Sequence, residues 1–166
     1  MIIRNEKESD SEVISLVIEK AFKGHPYSEN TEPFIVKALR ADGALTISLV
    51  AEVEGEVVGH IAFSPVTISS SSMGWYALGP VAVLPRLQNK GIGKALIKKG
   101  LSMLESSGAK GCVLVGEPGY YKRFGFKNFP DLTMEGVPSK YLLILCFSKE
   151  IPAGSVTYHK AFLAKE

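Results

Sequence analysis

Two glycines, Gly91 and Gly93, stand where an apolar, strand-like run, residues 75–84, gives way to a helical pattern. Glycine lowers helix stability by about 1 kcal/mol relative to alanine, so a pair at a helix start needs a reason. The first turn of a helix exposes unpaired backbone N–H groups and the positive end of the helix dipole. This junction therefore predicts either a tight strand-to-helix turn or a cradle for an anion such as phosphate.

The helix after the glycines is predicted to lie on a sheet. Spaced at about 100° per residue, its apolar and small residues fall on one half of the helix and its lysines on the other. The first half consists of Ile92, Gly93, Leu96, Ile97, Gly100, Leu101, Met103 and Leu104. Gly93 and Gly100 lie near the middle of this half, where the missing side chains would allow a close approach to the strands.

The rest of the chain alternates between strand and helix patterns and predicts a mixed α/β domain spanning residues 1–166. A first strand, two helices and a β-hairpin with its turn at residues 54–56 precede a loop at serines 69–72. The predicted order is βααβββαβαββ. Its later members are a buried strand at Gly111–Gly116, a short helix around Tyr120–Phe124 and a closing pair of strands in YLLILCFSKE and SVTYHKAF.

Composition excludes several protein classes. The net charge of +2 is spread along the chain without a block of like charges, which argues against a nucleic-acid partner. No apolar stretch is long enough to cross a membrane, and the N-terminal MIIRNEKESD is too polar for a signal peptide, so a cytoplasmic protein is expected. Cys112 and Cys146 sit in apolar runs without a C-x-x-C partner, so we expect reduced, buried thiols and no metal site.

Two nucleotide-binding motifs do not fit the glycine pair. A Walker A loop would require glycine at position 88 and serine or threonine at position 95, where the chain has Gln88 and Ala95. A dinucleotide fingerprint would require a third glycine at position 96, which is Leu96. A nucleotide-binding α/β protein is therefore disfavoured.

The run Gln88-Asn89-Lys90-Gly91-Ile92-Gly93 matches the Q/R-x-x-G-x-G/A loop of the GNAT N-acetyltransferase superfamily, which the chain resembles over nearly its full length. Tyr120-Tyr121-Lys122-Arg123-Phe124-Gly125-Phe126 matches that family's aromatic-Tyr-x-x-x-Gly-Phe run. The resemblance implies a central twisted mixed sheet, splayed between its fourth and fifth strands and flanked by helices. It also implies acetyl-CoA as co-substrate, no metal, and direct attack of a primary amine on the thioester in a ternary complex.

The resemblance also implies which residues bind the cofactor and which carry out the chemistry. Backbone amides of the loop would hold the pyrophosphate of coenzyme A, and strand backbone would pair with the pantetheine arm and stabilise an oxyanion. Tyr121 would protonate the departing thiolate. The loop residues are Gln88, Asn89, Lys90, Gly91, Ile92, Gly93 and Lys94, and the strand residues are Val81, Ala82 and Val83. Many family members carry an asparagine seven residues before the tyrosine, where this chain has Leu114.

Several alternatives stay open at the level of sequence. The base that deprotonates the amine is either Glu117, after the buried strand, or His60, within a strand, although both have ordinary structural explanations. An acyl-CoA-binding module without turnover is the alternative function. The acceptor amine and a homodimer also stay open. The carboxylates that could attract a cationic amine, or simply be solvated, are Glu29, Glu32, Asp131 and Glu135.

Overall fold

The structure, a computed structural model, describes residues 1–71 and 73–166. Ser72, which belongs to the predicted serine loop, lies outside the described residues. The helices are α1 (Ser11–Phe22), α2 (Glu32–Ala41), α3 (Ile92–Ser106) and α4 (Pro118–Tyr121). The strands are β1 (Ile2–Asn5), β2 (Ile47–Val53), β3 (Glu56–Ile68), β4 (Trp75–Val83), β5 (Gly111–Val115), β6 (Lys127–Asn128), β7 (Leu132–Thr133), β8 (Leu142–Cys146) and β9 (Gly154–Tyr158).

The predicted order of elements is confirmed except for two short strands. β6 and β7, two residues each, lie between the predicted short helix and the predicted closing pair of strands, where no strand was expected. Strands of two residues show no alternation of apolar and polar side chains, so a pattern-based prediction cannot detect them. The closing strand β9 also ends at Tyr158, and a short 3₁₀ helix follows at Lys160–Leu163 where the strand was expected to continue.

The chain divides into two compact units. The first contains Met1–Ser64, Gly79–Gly100 and Lys160–Glu166. Within it, β1 pairs with β2 and β2 pairs with β3, both antiparallel. The β2–β3 turn consists of Glu54 and Gly55, which both have positive φ, 50° and 80°, as a two-residue hairpin turn of type I′ requires. Helices α1 and α2 pack against each other in the same unit.

Helix α3 approaches the strands of the first unit closely at Gly100 but not at Gly93. A Cβ at Gly100 would overlap the buried ring of Phe63, with Cζ only 2.6 Å away. A Cβ at Gly93 would meet only Val83 Cγ2, at an ordinary contact distance of 3.8 Å. The packing role predicted for Gly100 is therefore confirmed, whereas the one predicted for Gly93 is wrong because there is room for a methyl group.

The second unit contains Pro65–Leu78 and Leu101–His159. β4 pairs in parallel with β5, from Trp75 opposite Gly111 to Ala77 opposite Val113. β5 pairs antiparallel with β8, which pairs antiparallel with β6. Parallel and antiparallel pairs together confirm the predicted mixed sheet. The splay between the fourth and fifth strands stays a prediction.

The core of the second unit surrounds the indole ring of Trp75. Its buried members are Val66, Ile68, Trp75, Ala77, Val113, Leu132, Leu142, Ile144 and Val156. Gly111 has no room for a side chain, because an added Cβ would overlap Trp75 and the Leu145 carbonyl and would lie 3.0 Å from Trp75 Cε3. The glycine that opens β5 therefore allows the buried indole to pack over that strand.

The two cysteines differ in burial. Cys112, in β5, is fully buried, and burial raises the pKa of its thiol well above the usual value. Cys146 is only partly buried, contrary to the prediction, because it is the last residue of β8. Within residues 1–71 and 73–166, no group of three or more His, Cys, Asp or Glu side chains could hold a metal ion. No helix in those ranges is long and apolar enough to cross a membrane.

Candidate active site

The glycine-rich loop joins β4 to α3 and is exposed to solvent. A short 3₁₀ helix, Pro85–Leu87, follows the strand, and the backbone then turns through Asn89 (φ 63°) and Gly91 (φ 87°) before α3 begins at Ile92. The positive φ at Gly91 is accessible to glycine at little cost, whereas a side chain would strain it. The start of α3 is consequently open, with backbone N–H groups available to an anion.

The side chain of Gln88 ties this loop to the strand before it. Its Nε2 donates a hydrogen bond to the carbonyl of Val83 at 3.0 Å, and its own backbone N–H donates to Pro85 at 3.3 Å. The Q/R-x-x-G-x-G/A pattern requires glutamine or arginine at position 88 but does not indicate what this side chain contacts. The structure gives a physical reason, since the long amide bridges the end of β4 to the beginning of the turn.

The strand residues predicted to bind the pantetheine arm lie at the end of β4. Ala82 is buried, and Val81 and Val83 are half-buried. The parallel pairing of β4 with β5 involves Trp75 to Ala77, so these three residues lie beyond that paired segment along the strand. Their proposed use of main-chain groups stays a prediction.

Tyr121 is the last residue of α4 and lies within an aromatic cluster. Its ring packs edge-on against Tyr120, with centroids 4.9 Å apart, and against Phe126, at 6.0 Å. Gly116 makes room for this ring, because a Cβ there would lie 2.7 Å from Tyr121 Cε2. Burial raises the pKa of the Tyr121 hydroxyl to about 12, so the phenol keeps its proton at neutral pH.

Glu117 is the N-cap residue of α4, the short helix that ends at Tyr121. Its backbone carbonyl accepts hydrogen bonds from the N–H groups of Tyr120 and Tyr121, both at 3.1 Å. The residue is exposed, and its side chain makes no capping hydrogen bond to the helix. Glu117 is therefore in contact with solvent at the start of α4.

His60 is completely buried in β3, at 0% exposure. Its Nε2 lies 2.8 Å from Ser48 Oγ, and Ser48 in turn donates to Glu6, whose carboxylate is paired with Arg40. Burial lowers the pKa of His60 to about 4. Such an imidazole is neutral but a weak proton acceptor, so this placement favours a hydrogen-bonding role over proton abstraction. Sequence reasoning missed Glu6, Ser48 and Arg40, because nothing in their spacing indicates that they meet.

Acid is expected to destabilise the fold through His60. Because its pKa is about 4 in the folded state against 6.5 as an ordinary value, the unfolded chain binds the proton first. The part of the free energy of unfolding that depends on a neutral His60 is therefore fully present above about pH 6.5. It decreases by about 3 kcal/mol as the pH falls to about 4. Urea unfolding at pH 7.5 and pH 4 measures this loss. His60→Gln removes the titrating group and should lose less on acidification; an equal loss would contradict the assignment.

Four acidic residues were predicted to attract a cationic acceptor amine. Glu32 accepts a hydrogen bond from Ser28 Oγ at 2.6 Å and so stabilises the loop before α2. Glu29, Asp131 and Glu135 are exposed. Their predicted attraction for a cationic amine stays a prediction, next to the simpler explanation of solvated loop carboxylates.

Comparison with known proteins places this geometry in a family. Residues 11–126 match the family model described as "Acetyltransferase (GNAT) family". An acetyltransferase of the GNAT family from Brucella melitensis, crystallised in complex with acetyl-CoA, is 50% identical, with a TM-score of 0.87 over 97% of each chain. The YhbS protein of Escherichia coli, described as an uncharacterized N-acetyltransferase, is 35% identical over 128 residues, 76% of this chain and 74% of its own.

The crystal structure of that Escherichia coli protein in complex with CoA has a TM-score of 0.87, covering 98% of this chain and 91% of its own, at 29% identity. The matched region contains α1 to α4, the glycine-rich loop and Tyr121. The family model covers more than half of the chain. The chain therefore belongs to the GNAT family of acetyltransferases.

Proposed function

We propose that this protein is an acetyl-CoA-dependent N-acetyltransferase in which a primary amine attacks the thioester directly in a ternary complex. The observation that carries this proposal is the open start of α3, preceded by the left-handed residues Asn89 and Gly91. The acetyl-CoA complex of the 50% identical Brucella melitensis protein supports this choice of ligand. We further propose that residues 1–166 act as one catalytic domain.

In this proposal the cofactor is held by main-chain groups. Amides from Gln88 to Lys94 bind the pyrophosphate, aided by the dipole of α3. The backbone of Val81 to Val83 pairs with the pantetheine arm as an added strand would. A strand N–H from the same segment stabilises the oxyanion that forms when the amine adds to the thioester carbonyl.

Two side chains carry the proton transfers. Tyr121, whose hydroxyl stays protonated at neutral pH, donates its proton to the sulfur as the carbon–sulfur bond breaks. Glu117, exposed to solvent, takes the proton that the ammonium must lose before attack, either directly or through water. The attacking nitrogen loses two protons in all: the first passes to Glu117 and on to the solvent, and the second restores the Tyr121 hydroxyl after that hydroxyl has protonated the sulfur. No metal takes part.

Replacing Gly91 by alanine is expected to weaken CoA binding about tenfold. Alanine is strained at φ 87° by roughly 1–2 kcal/mol, and relieving that strain moves the amides that bind the pyrophosphate. Gly43→Ala is the matched control, because Gly43 has a similar φ of 67°, equally open surroundings and no place in the loop. Calorimetric titration compares the affinities of the two variants for CoA. Thermal unfolding should show that both variants are destabilised equally. Equal affinities of the two variants for CoA would show that the loop is a turn without a role in binding.

A further inference from the structure

A row of hydrogen bonds runs from the surface helix α2 to the middle of β3. Nε and Nη2 of Arg40 donate to the two carboxylate oxygens of Glu6 at 2.8 and 2.9 Å. Ser48 Oγ donates to Glu6 Oε1 and lies 2.8 Å from Nε2 of His60. The four side chains, named here the Arg40 relay, all belong to the first unit of the chain.

The chemistry of the relay determines the tautomer of His60. Burial opposes ionisation of Glu6, but hydrogen bonds from Arg40 and Ser48 outweigh it and hold the pKa of the carboxyl below its usual value. An ionised carboxylate only accepts, so the single proton of the Ser48 hydroxyl points toward Glu6. Ser48 must then accept from His60, which requires the proton on Nε2 and leaves Nδ1 with a bare lone pair.

That lone pair has no partner in the described part of the protein. Nδ1 of His60 is buried without a hydrogen bond to any residue in 1–71 or 73–166. A buried acceptor left unpaired costs free energy, and native proteins keep such groups mostly where water, a ligand or a catalytic role uses them. Three other side chains hold the His60 ring in one tautomer, and its Nδ1 acceptor has no partner among the described residues. This nitrogen is therefore a candidate for contact with an N–H or O–H donor.

The pairing of β3 with β4 brings His60 next to the predicted cofactor strand. The N–H of Leu84 donates to the carbonyl of Val58 at 2.9 Å, and the Arg86 and Glu56 side chains form an ion pair. Antiparallel pairing continued from this register places His60 opposite Ala82. Side chains alternate between the faces of a sheet, so Ala62 and Ala82 lie on the same face as the imidazole, and both are buried.

We propose that Arg40, Glu6 and Ser48 are positioning residues that hold His60 as the neutral Nε2–H tautomer, so that Nδ1 accepts a hydrogen bond from the attacking amine. The contact is direct or passes through one water, and it orients the nitrogen lone pair toward the thioester carbonyl. This inference rests on the proposed acetyl transfer. His60 takes no proton in this step, and proton removal stays with Glu117.

The charges that face His60 are consistent with this role. Burial is the dominant cause of the lowered pKa of His60. The negative charge of Glu6 raises this pKa by less than burial lowers it, and the positive charge of Arg40 lowers it further. The ring therefore stays neutral at the pH at which amines are acetylated. A neutral acceptor does not repel the substrate cation, which a protonated imidazole would do.

Ser48→Ala tests the relay, with Ser64→Ala as its matched control. Ser64 is also fully buried on β3, and its hydroxyl has no partner among the described residues, so its loss leaves the relay intact. For Ser48→Ala we expect kcat/KM for the amine to fall about tenfold or more, with an unchanged Kd for acetyl-CoA, because misplacement of a reacting group by about 1 Å can cost 10²-fold. Ser64→Ala should match the wild type in both. If Ser48→Ala does not fold, Glu6→Gln keeps the shape, removes the charge and should lower kcat/KM similarly.

Nitrogen-15 NMR of the histidine rings provides a readout independent of activity. The wild type should show His60, assigned by its loss in His60→Gln, with protonated Nε2 and bare Nδ1 at pH 7, and Ser48→Ala should show mixed tautomers. A wild-type Nδ1–H tautomer, or equal kcat/KM for Ser48→Ala and Ser64→Ala, overturns the relay alone. A wild type that acetylates no amine overturns the proposed function and, with it, the catalytic role of the relay.

Discussion

Replacing Tyr121 by phenylalanine is expected to lower kcat for acetyl transfer by about 10²–10³-fold, in the range that a positioned general acid contributes. The ring stays, so its packing against Tyr120 and Phe126 and the space left by Gly116 are unchanged. Only the proton for the departing sulfur is lost. KM for acetyl-CoA should change little, because main-chain groups are proposed to hold the cofactor. Steady-state kinetics with a fixed amine measures both constants.

Tyr120→Phe is the matched control for this effect. It removes the same hydroxyl from the neighbouring ring of the cluster, which packs against Tyr121 but is more exposed. We expect its kcat to stay within about twofold of the wild type. Equal kcat for Tyr121→Phe and wild type would show that the sulfur leaves without this proton and that Tyr121 is only a packing residue.

Gly100→Ala is expected to lower the free energy of unfolding by about 2 kcal/mol, because overpacking a core costs up to about 3 kcal/mol and the helix preference of alanine over glycine offsets about 1 kcal/mol of it. The added methyl would overlap the ring of Phe63, which is fully buried and cannot move into solvent. The thermal midpoint should fall by roughly 4–8 °C for a chain of this size. Chemical and thermal unfolding followed by circular dichroism measure the loss.

Gly93→Ala serves as the control in the same helix. Its added methyl meets only Val83 Cγ2 at 3.8 Å, and alanine favours a helix over glycine by about 1 kcal/mol. We therefore expect its stability to be unchanged or higher. A Gly93→Ala variant as unstable as Gly100→Ala would restore the packing role that the wheel pattern predicted for both glycines.

The long periodic segments were predictable because their patterns depend directly on burial. The strand ending before the glycine loop was expected at residues 75–84 and is observed as Trp75–Val83, and α3 follows where the amphipathic pattern placed it. The hairpin turn at Glu54 and Gly55 was marked by its turn residues. The helical wheel could not distinguish Gly93 from Gly100, because it shows which face is buried and not how near the neighbouring strand lies.

The candidate site was predictable where it rests on a contiguous motif. The residues from Gln88 to Gly93 lie together in the sequence, and the backbone conformation at Gly91 follows from the residue type. The Arg40 relay joins residues from four separate segments, and only the folded sheet brings them together. Buried polar contacts between distant residues leave no periodic trace, so Glu6, Ser48 and Arg40 could not be found from the sequence.

The central claim is that this chain transfers acetyl groups to an amine, and an acceptor panel tests it most directly. The purified protein is incubated with acetyl-CoA and representative small amines, aminoglycosides, peptides and lysine-containing proteins. Released CoA thiol and acetylated product are both quantified. We expect release of CoA in equal amount to product for at least one class of amine, and we expect this release to be abolished or strongly reduced in Tyr121→Phe. Tight binding of acetyl-CoA without acetylation of any amine would contradict the central claim and would indicate an acyl-CoA-binding module instead.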